Sequence, residues 1–418
     1  MAESFLLAWR ALLRGHVLTA LLALTALAHL LLPSVVRSDG TEAGQSELFL
    51  RVVPGSVYVV LCVALLACAC GLVARARESH RLALAVVRPV SAGAVVAGPL
   101  MALVAVAAIV LAFNAGLTCV RGGWADSRHV YAPELEPPEV AARQMLQEIL
   151  ASTNTSEEIR SVPQHKLLSI LIEHEADRYE IIRPGDFIEL PFPAEAAESP
   201  DGVTVRIHFS TRFNLRANLS GIVSFGKWSA TVTNNTQSFL EIPLAVATSC
   251  DPPGAPKLVF RNTGRSEVMF RPRRDVELLT PADSFNMNMV RASCEMLCVI
   301  ALLCAFGLFL SAALSRPVAI FSALVALAVT EMAPSVLAQC PETLDLPLTD
   351  RIGLWLSRRV VFATSAVAEP EPLSNLATGT YIKWANVGRA VLVDAVAAPL
   401  VLLSLAAFLV RRRASASR

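Results

Sequence analysis

Charge is what this sequence has least of. Asp, Glu, Lys and Arg make up 17% of its 418 residues, against about 25% in an ordinary soluble domain. With 54% apolar residues and a mean hydropathy of +0.53, this excludes a disordered chain and argues against a wholly soluble enzyme. A net charge of +1 leaves no basic excess for nucleic acid, so none is expected as a partner. Internal repeats and low-complexity tracts are absent. So is a phosphate-binding Gly-x-x-x-x-Gly-Lys-Ser/Thr run, which excludes ATP binding of the usual kind. A Gly-x-Ser-x-Gly nucleophile turn is missing too, and no catalytic pair stands out; the chain reads as non-enzymatic. The string His174-Glu175-Ala176-Asp177-Arg178 begins like a zinc-protease helix but lacks the second histidine. His165, Glu173, His174 and Asp177 match no standard ligand spacing, so a solvated helical face is expected, with no metal or other cofactor in this chain.

What is abundant is concentrated. Six apolar stretches approach or reach the roughly 20 residues that a helix needs to cross about 30 Å of hydrocarbon. They run from Val17 to Val36, Val57 to Val73, Ala94 to Phe113, Cys294 to Leu314, Val318 to Ala338 and Ala390 to Val410. The first is too long for a signal peptide and lacks a small-x-small cleavage site leading into a soluble chain. Residues 1 to 14 read as an amphipathic helix on the inner surface, with Trp9 and Arg10 at headgroup level.

Basic residues set the orientation. With the N-terminus inside, the inner segments hold Arg10, Arg14, Arg75, Arg77, Arg81, Arg88, Arg316, Arg411, Arg412, Arg413 and Arg418. Only Glu3 and Glu78 oppose these eleven, so the inside carries +9 and the remainder −8. This asymmetry predicts that both termini are cytoplasmic.

The largest polar region, Gly116 to about Met289, then lies outside. Its first third is helical in pattern: Val140, Met145, Leu146, Ile149 and Leu150 mark one apolar face, and Leu167, Leu168, Leu171 and Ile172 another. The rest reads as strands. Val203, Val205, Ile207 and Phe209 alternate with Thr204, Arg206, His208 and Ser210. Further strands are expected over 179–182, 221–233, 239–246, 257–261 and 267–270. They are separated by turn residues such as Pro184-Gly185, Asp201-Gly202 and Asn234-Asn235. Short strands with regular turns predict a β-sandwich, and Val276 to Asn288 leads from it into the fourth span. In the loop before the last span, Leu348 to Phe362 is expected as a helix at the outer leaflet.

Three acids fall within spans: Glu295, Glu331 and Asp394. Ionisable groups there are functional candidates by default, as the polar lining of a transport path. The alternative is pairing with Arg291 and Arg389 near the outer interface, where charge costs less. Cys62, Cys68, Cys70, Cys294, Cys298 and Cys304 sit in spans as small apolar residues. Cys119, Cys250 and Cys340 fall outside, where disulfides form; three is odd, and a Cys119–Cys340 bridge is one possibility that the spacing leaves open.

The inner segment from Arg75 to Ser91 reads as a short helix with a basic start, stopped before Pro89. Together with the spans it resembles the ABC-2 type transporter permease family. Glu78, Leu82, Leu84, Arg88, Pro89, Val90 and Ser91 match the family's inner Glu, leucine-rich helix and Arg-Pro-Val-Ser. Ser79-His80 stands where Gly-Thr is common, and Gly98-Pro99 where Gly-Lys is common. The resemblance covers the membrane portion, somewhat under half the chain, and the closing Arg411-Arg412-Arg413 adds to it; the external domain is an elaboration. It implies that these seven residues form the coupling segment for a separate ABC ATP-binding subunit, and that two permease copies assemble, as a homodimer or with a relative. Without the resemblance, the same segment is a solvated basic loop that only fixes orientation.

The expected fold is a polytopic α-helical membrane protein with six transmembrane helices and an extracytoplasmic α+β domain containing a β-sandwich. The expected parts are an N-terminal membrane half (1–115), an external domain (116–289, helical over 130–178 and strands over 179–280), and a C-terminal membrane half (290–418) with an external loop over 339–389. The expected role is a permease subunit in a bacterial cytoplasmic (inner) membrane, in contact with lipid and driven by ATP hydrolysis in its partner. The rival is a membrane-anchored binding, assembly or mechanotransmission protein that carries nothing through itself.

Overall fold

The computed structural model describes residues 2–35, 42–78, 92–122, 124, 126–151, 164–197, 203–208, 218–225, 228–235, 239–244, 256–339, 353 and 372–416. They divide into two compact units. One draws on Met1–Ala125, Ser284–Gln339 and Leu346–Arg418, the other on Asp126–Asp283 and Cys340–Asp345.

The first unit is helical, and it identifies the chain as a membrane protein. Five helices are long and apolar enough to cross a bilayer: Val17–Val35, Gln45–Ala74, Gly93–Arg121, Phe285–Ala313 and Trp384–Arg412. We number the first four as spans one to four and call the fifth the last span. The sixth apolar run lies on helix Arg316–Gln339, whose described apolar part, Arg316–Val329, is shorter. Span two belongs to a 37-residue helix, Glu42–Glu78, well beyond the stretch from Val57 to Val73 that strict apolar counting marks. Ala, Leu and Val dominate each run, and Pro33, Pro54 and Pro99 are tolerated inside helices that the low-dielectric surroundings hold together.

Without a hydrophobic drive between helices in lipid, close packing must come from small residues. Spans two and four show this. A Cβ added at Gly307 would lie 2.8 Å from the Ala69 Cβ and 3.2 Å from the Leu66 carbonyl oxygen. One turn on, the Ser311 hydroxyl accepts from the Ala74 N–H at 2.9 Å. Lipid-facing positions are apolar instead: Leu24, Leu27, Leu30 and Leu31 of span one are exposed, while only its Leu21 and Thr25 are buried.

Helix Ala2–Arg14 is amphipathic as expected and buries Ala8 and Leu12. It crosses the foot of span three at Gly98, where an added Cβ would lie 2.7 Å from the Phe5 nitrogen. Ser4 Oγ donates to the Ala94 carbonyl at 2.7 Å beside this crossing.

Among its described residues the second unit holds two longer helices, Pro138–Ala151 and Gln164–Ala176, packed on each other, two short ones, Ala194–Ala197 and Pro272–Asp275, and ten strands. We label the strands β1 Ser127–Tyr131, β2 Glu180–Ile182, β3 Phe187–Pro191, β4 Val203–His208, β5 Asn218–Phe225, β6 Trp228–Asn235, β7 Phe239–Leu244, β8 Lys257–Asn262, β9 Val268–Phe270 and β10 Val276–Asp283. They form sheets in the order β1-β10-β4-β7, β2-β9 and β3-β8-β5-β6, with antiparallel pairing throughout. A single apolar cluster takes Val205, Ile207 and Leu278 from the first sheet, Phe270 from the second, and Val223 and Phe260 from the third. The expected single strand over 221–233 is instead the hairpin β5–β6, with Phe225 paired to Trp228. β1 and β3 carry no strong period-two pattern and were not expected; β1 falls partly within the stretch read as helical.

Across β1-β10-β4-β7 runs a charge ladder. Arg206 on β4 contacts its register partners Glu241 on β7, at 2.7 Å, and Glu277 on β10, at 3.5 Å; Arg128 on β1 also reaches Glu241, at 2.9 Å. Burial pulls the Glu241 carboxyl upward, but hydrogen bonds from Arg128 and Arg206 outweigh it and hold Glu241 below the usual glutamate range. At Glu277 burial wins over Arg206, and its carboxyl titrates above that range.

Candidate functional site

Helix Phe285–Ala313 places Asn288, Arg291 and Glu295 along successive turns, and all three are buried. Asn288 is the first fastening. Its Nδ2 donates to the Thr380 carbonyl at 2.9 Å, and its Oδ1 accepts from the Ile382 N–H at 2.9 Å. It thereby clamps the non-helical stretch between the short helix Pro372–Ala377 and the last span. Irregular backbone in a membrane unit survives only where protein satisfies its polar groups. Leu376 and Ala377 of that short helix and Ile382 of the stretch are buried in the main apolar cluster.

Arg291 is the second fastening. Its guanidinium lies 4.6 Å from the Tyr381 ring centroid and 5.0 Å from that of Trp384. A desolvated cation gains most from such aromatic faces. Tyr381 and Trp384 therefore hold Arg291, where the sequence offered a carboxylate.

Glu295 lies one turn deeper. It is 1% exposed, and neither carboxyl oxygen has a hydrogen-bond partner among the described residues. Asp394 comes from the facing last span, is also 1% exposed, and has one oxygen, Oδ1, without a partner. Asp394 sits within Val391–Ala397, where the helix widens into a π-helix between Trp384–Ala390 and Ala398–Ala416. Such widened turns are rare and frequent at functional sites. Helix Phe285–Ala313 packs against this segment, and Cys298 lies within charge reach of both acids. Each acid is ten residues past the start of its helix, and Arg389 lies within charge reach of Asp394.

A second polar contact crosses spans one and three. His29 Nε2 lies 2.9 Å from Asn114 Oδ1, and the Asn114 carboxamide nitrogen is buried without a partner among the described residues. Beside it, Phe49 stacks on Trp124, Trp124 on Phe285, and Arg121 caps Phe49 at 4.2 Å. A polar residue inside an apolar run was the available signal for His29, whereas Asn114 and Asn288 fall just outside the runs. No sequence pattern marks the π-helical turn.

The remaining expected residues divide by position. Glu78 ends helix Glu42–Glu78, with its side chain outside the described residues. Leu82, Leu84, Arg88, Pro89, Val90 and Ser91 lie outside them, as does the stretch from Leu348 to Phe362 except Gly353. Glu331 is on helix Arg316–Gln339, but its side chain is not described. Cys119 carries a free thiol, while Cys250 and Cys340 lie outside the described residues. In the second unit Glu175 reaches Arg178 at 3.4 Å and Asp177 reaches Arg274 at 2.9 Å. The described residues hold no group of three metal-ligating side chains. Comparison of the chain with protein-family models, with curated proteins and with solved structures finds no match.

Proposed function

We propose that this chain is the membrane-spanning permease subunit of an ABC-type transport system, with ATP hydrolysis in a separate subunit. The observation that carries a transport role is the burial of Glu295 and Asp394 between packed spans with three oxygens lacking a partner. An anchor gains nothing from such groups, because apolar side chains fill the same volume at lower cost. A transport site gains a place to hold and release polar cargo.

Coupling to a motor rests on the resemblance of Glu78, Leu82, Leu84, Arg88, Pro89, Val90 and Ser91. The surrounding geometry supports it. That segment joins spans two and three, and helix Ala2–Arg14 braces the foot of span three at Gly98. Span two in turn packs tightly on span four at Ala69 and Gly307. Displacing the segment therefore shifts span four, and with it Glu295, relative to Asp394. This is a shear between packed helices, driven by the partner's nucleotide state.

In this reading helix Arg316–Gln339 completes a sixth crossing, and Glu331 lies on it as a third acid of the path. Both termini face the cytoplasm of a bacterial inner membrane, and the sheets of the second unit form an external β-sandwich. A second permease copy completes the assembly. The test is purification of the tagged full chain from its native membrane. An ATP-binding subunit accompanies the wild type and is lost from Arg88→Glu. Purification without any ATP-binding chain, after cross-linking in the membrane, refutes the proposal and favours an anchored binding protein.

A further inference from the structure

Among the described residues, nothing covers one face of helix Ala2–Arg14. Its inner side is fixed: Ala8 and Leu12 are buried, and Phe5 and Trp9 pack on the same apolar cluster. On the other side Leu6, Leu7, Arg10, Leu13 and Arg14 form one exposed stripe, with Leu7 68% open. Their spacing of three and four residues puts them on one side of an α-helix. Facing water, this stripe would leave three leucines wet; facing acyl chains, it would strand two guanidinium groups. The boundary between lipid headgroups and acyl chains suits both, because leucines sink into the chains and arginines extend toward phosphate.

The position of the helix agrees. Only Gly15 and His16 separate it from span one, and His16 turns the chain there with φ at 54°. The helix crosses span three at Ala94 and Gly98. These lie one and five residues past Gly93, where that 29-residue span begins, or about 1.5 and 7.5 Å along its axis. The whole span is about 43 Å long, so centred on about 30 Å of hydrocarbon it leaves about 7 Å of headgroup layer at each end. Ala94 falls within that layer and Gly98 at its inner edge. A helix seated on both lies at the depth of an interfacial helix.

Charge selects the kind of lipid. Arg10 and Arg14 are one turn apart, and a like-charge pair at that spacing is destabilising by itself. No acid lies three or four residues from either arginine. Glu3, the only acid of the helix, is two turns from Arg10. An anionic group beside the two guanidinium groups removes their repulsion.

We propose that Arg10 and Arg14 dock helix Ala2–Arg14 on anionic phospholipids of the adjacent leaflet, with Leu6, Leu7 and Leu13 among the acyl chains. The partner is lipid because the helix runs, two residues on, into span one, whose Leu24 and Leu27 are exposed to lipid. The charge of that leaflet thereby sets how firmly the helix is held across the foot of span three. The proposal needs only membrane insertion and stands whether or not the chain is a permease.

The test is hydrogen exchange of the full chain at low salt, in nanodiscs of phosphatidylcholine alone and of phosphatidylcholine mixed with phosphatidylglycerol. Exchange follows local opening, and the attraction of two basic residues to a charged leaflet corresponds to about thirtyfold. Peptides over Leu6 to Arg14 are expected to exchange about thirtyfold more slowly in the anionic nanodiscs, while peptides from span four are unchanged. Added salt should erase most of the difference. The response is lost in the double variant Arg10→Gln, Arg14→Gln and kept in Arg10→Lys, Arg14→Lys; both positions are exposed, so neither change disturbs the core. Equal exchange in the two nanodiscs overturns the proposal, and so does a response that survives in the glutamine variant. Equal protection by inorganic phosphate in neutral nanodiscs also overturns it, because that marks a free-anion site and not docking on a leaflet.

Discussion

Replacing Asn288 by alanine should loosen the stretch that it clamps. Asn288 is 1% exposed and makes two hydrogen bonds with the backbone of that stretch, at Thr380 and Ile382. Alanine leaves the Thr380 carbonyl and the Ile382 N–H unsatisfied. Each such group costs about 1–3 kcal/mol when it stays buried. Both lie within about 5 Å of axial rise from the start of span four, where water relieves part of that cost, so the lower end applies. A loss of about 2 kcal/mol corresponds to roughly a thirtyfold increase in the open population, at 1.4 kcal/mol per factor of ten. Where labelling requires local opening, its rate follows that population. The assay is maleimide modification of Cys298 in proteoliposomes, read by peptide mass spectrometry. The rate should rise roughly thirtyfold in Asn288→Ala. A rate equal to wild type, with the chain folded, would show that Asn288 does not gate access to Cys298.

Other expectations follow from particular contacts. Gly307→Ala forces its new methyl to 2.8 Å from the Ala69 Cβ, so spans two and four must separate at a cost of about 1–3 kcal/mol; unfolding in mixed micelles measures it, and an unchanged midpoint contradicts the packing described. Gly98→Val should release helix Ala2–Arg14 from span three, because the added Cβ meets the Phe5 backbone nitrogen at 2.7 Å; Trp9 fluorescence would report the release, and an unaltered spectrum would rule it out. Glu241→Gln should lower the stability of the sheet domain at pH 7, because Glu241 titrates below its ordinary value of 4.5 in the folded state. That difference is lost as the pH falls through the folded value. Glu277 titrates above the same ordinary value, so Glu277→Gln should raise stability at pH 7, and that gain vanishes below the ordinary value. Midpoints between pH 3 and 7 check both, and a gap that persists at the acid end contradicts the assignment.

Long-range order of the membrane unit was legible because lipid imposes a single strong rule, a run of apolar residues long enough to cross. Val17 opens a helix where its run begins, whereas Phe285 and Trp384 open helices well before the runs from Cys294 and Ala390. β4 was legible for a similar reason: one face is buried, so Val203, Val205 and Ile207 alternate with half-exposed Thr204, Arg206 and His208. β1 was not, because its five residues are strand only through pairing with β10, some 150 residues on. The β5–β6 hairpin was hidden because strand formers run on either side of Gly226-Lys227, the only break between paired Phe225 and Trp228. Within the site, the sequence marked Glu295 and Asp394 as unusual and left Arg291 open to a carboxylate partner. Choosing its aromatic partners, Tyr381 and Trp384, requires knowing that a stretch some 90 residues away folds back on span four. The π-helical turn around Asp394 comes from that same packing and leaves no periodicity to read.

The central claim is that a nucleotide-driven partner moves span four against the last span, and Cys298 stands where that motion would be felt. The direct measurement is its rate of maleimide labelling in the purified complex, without nucleotide and with ATP trapped by vanadate. The account predicts a rate that changes between the two states in wild type and stays constant in Arg88→Glu. An identical rate in both states, in a complex that hydrolyses ATP, would contradict it.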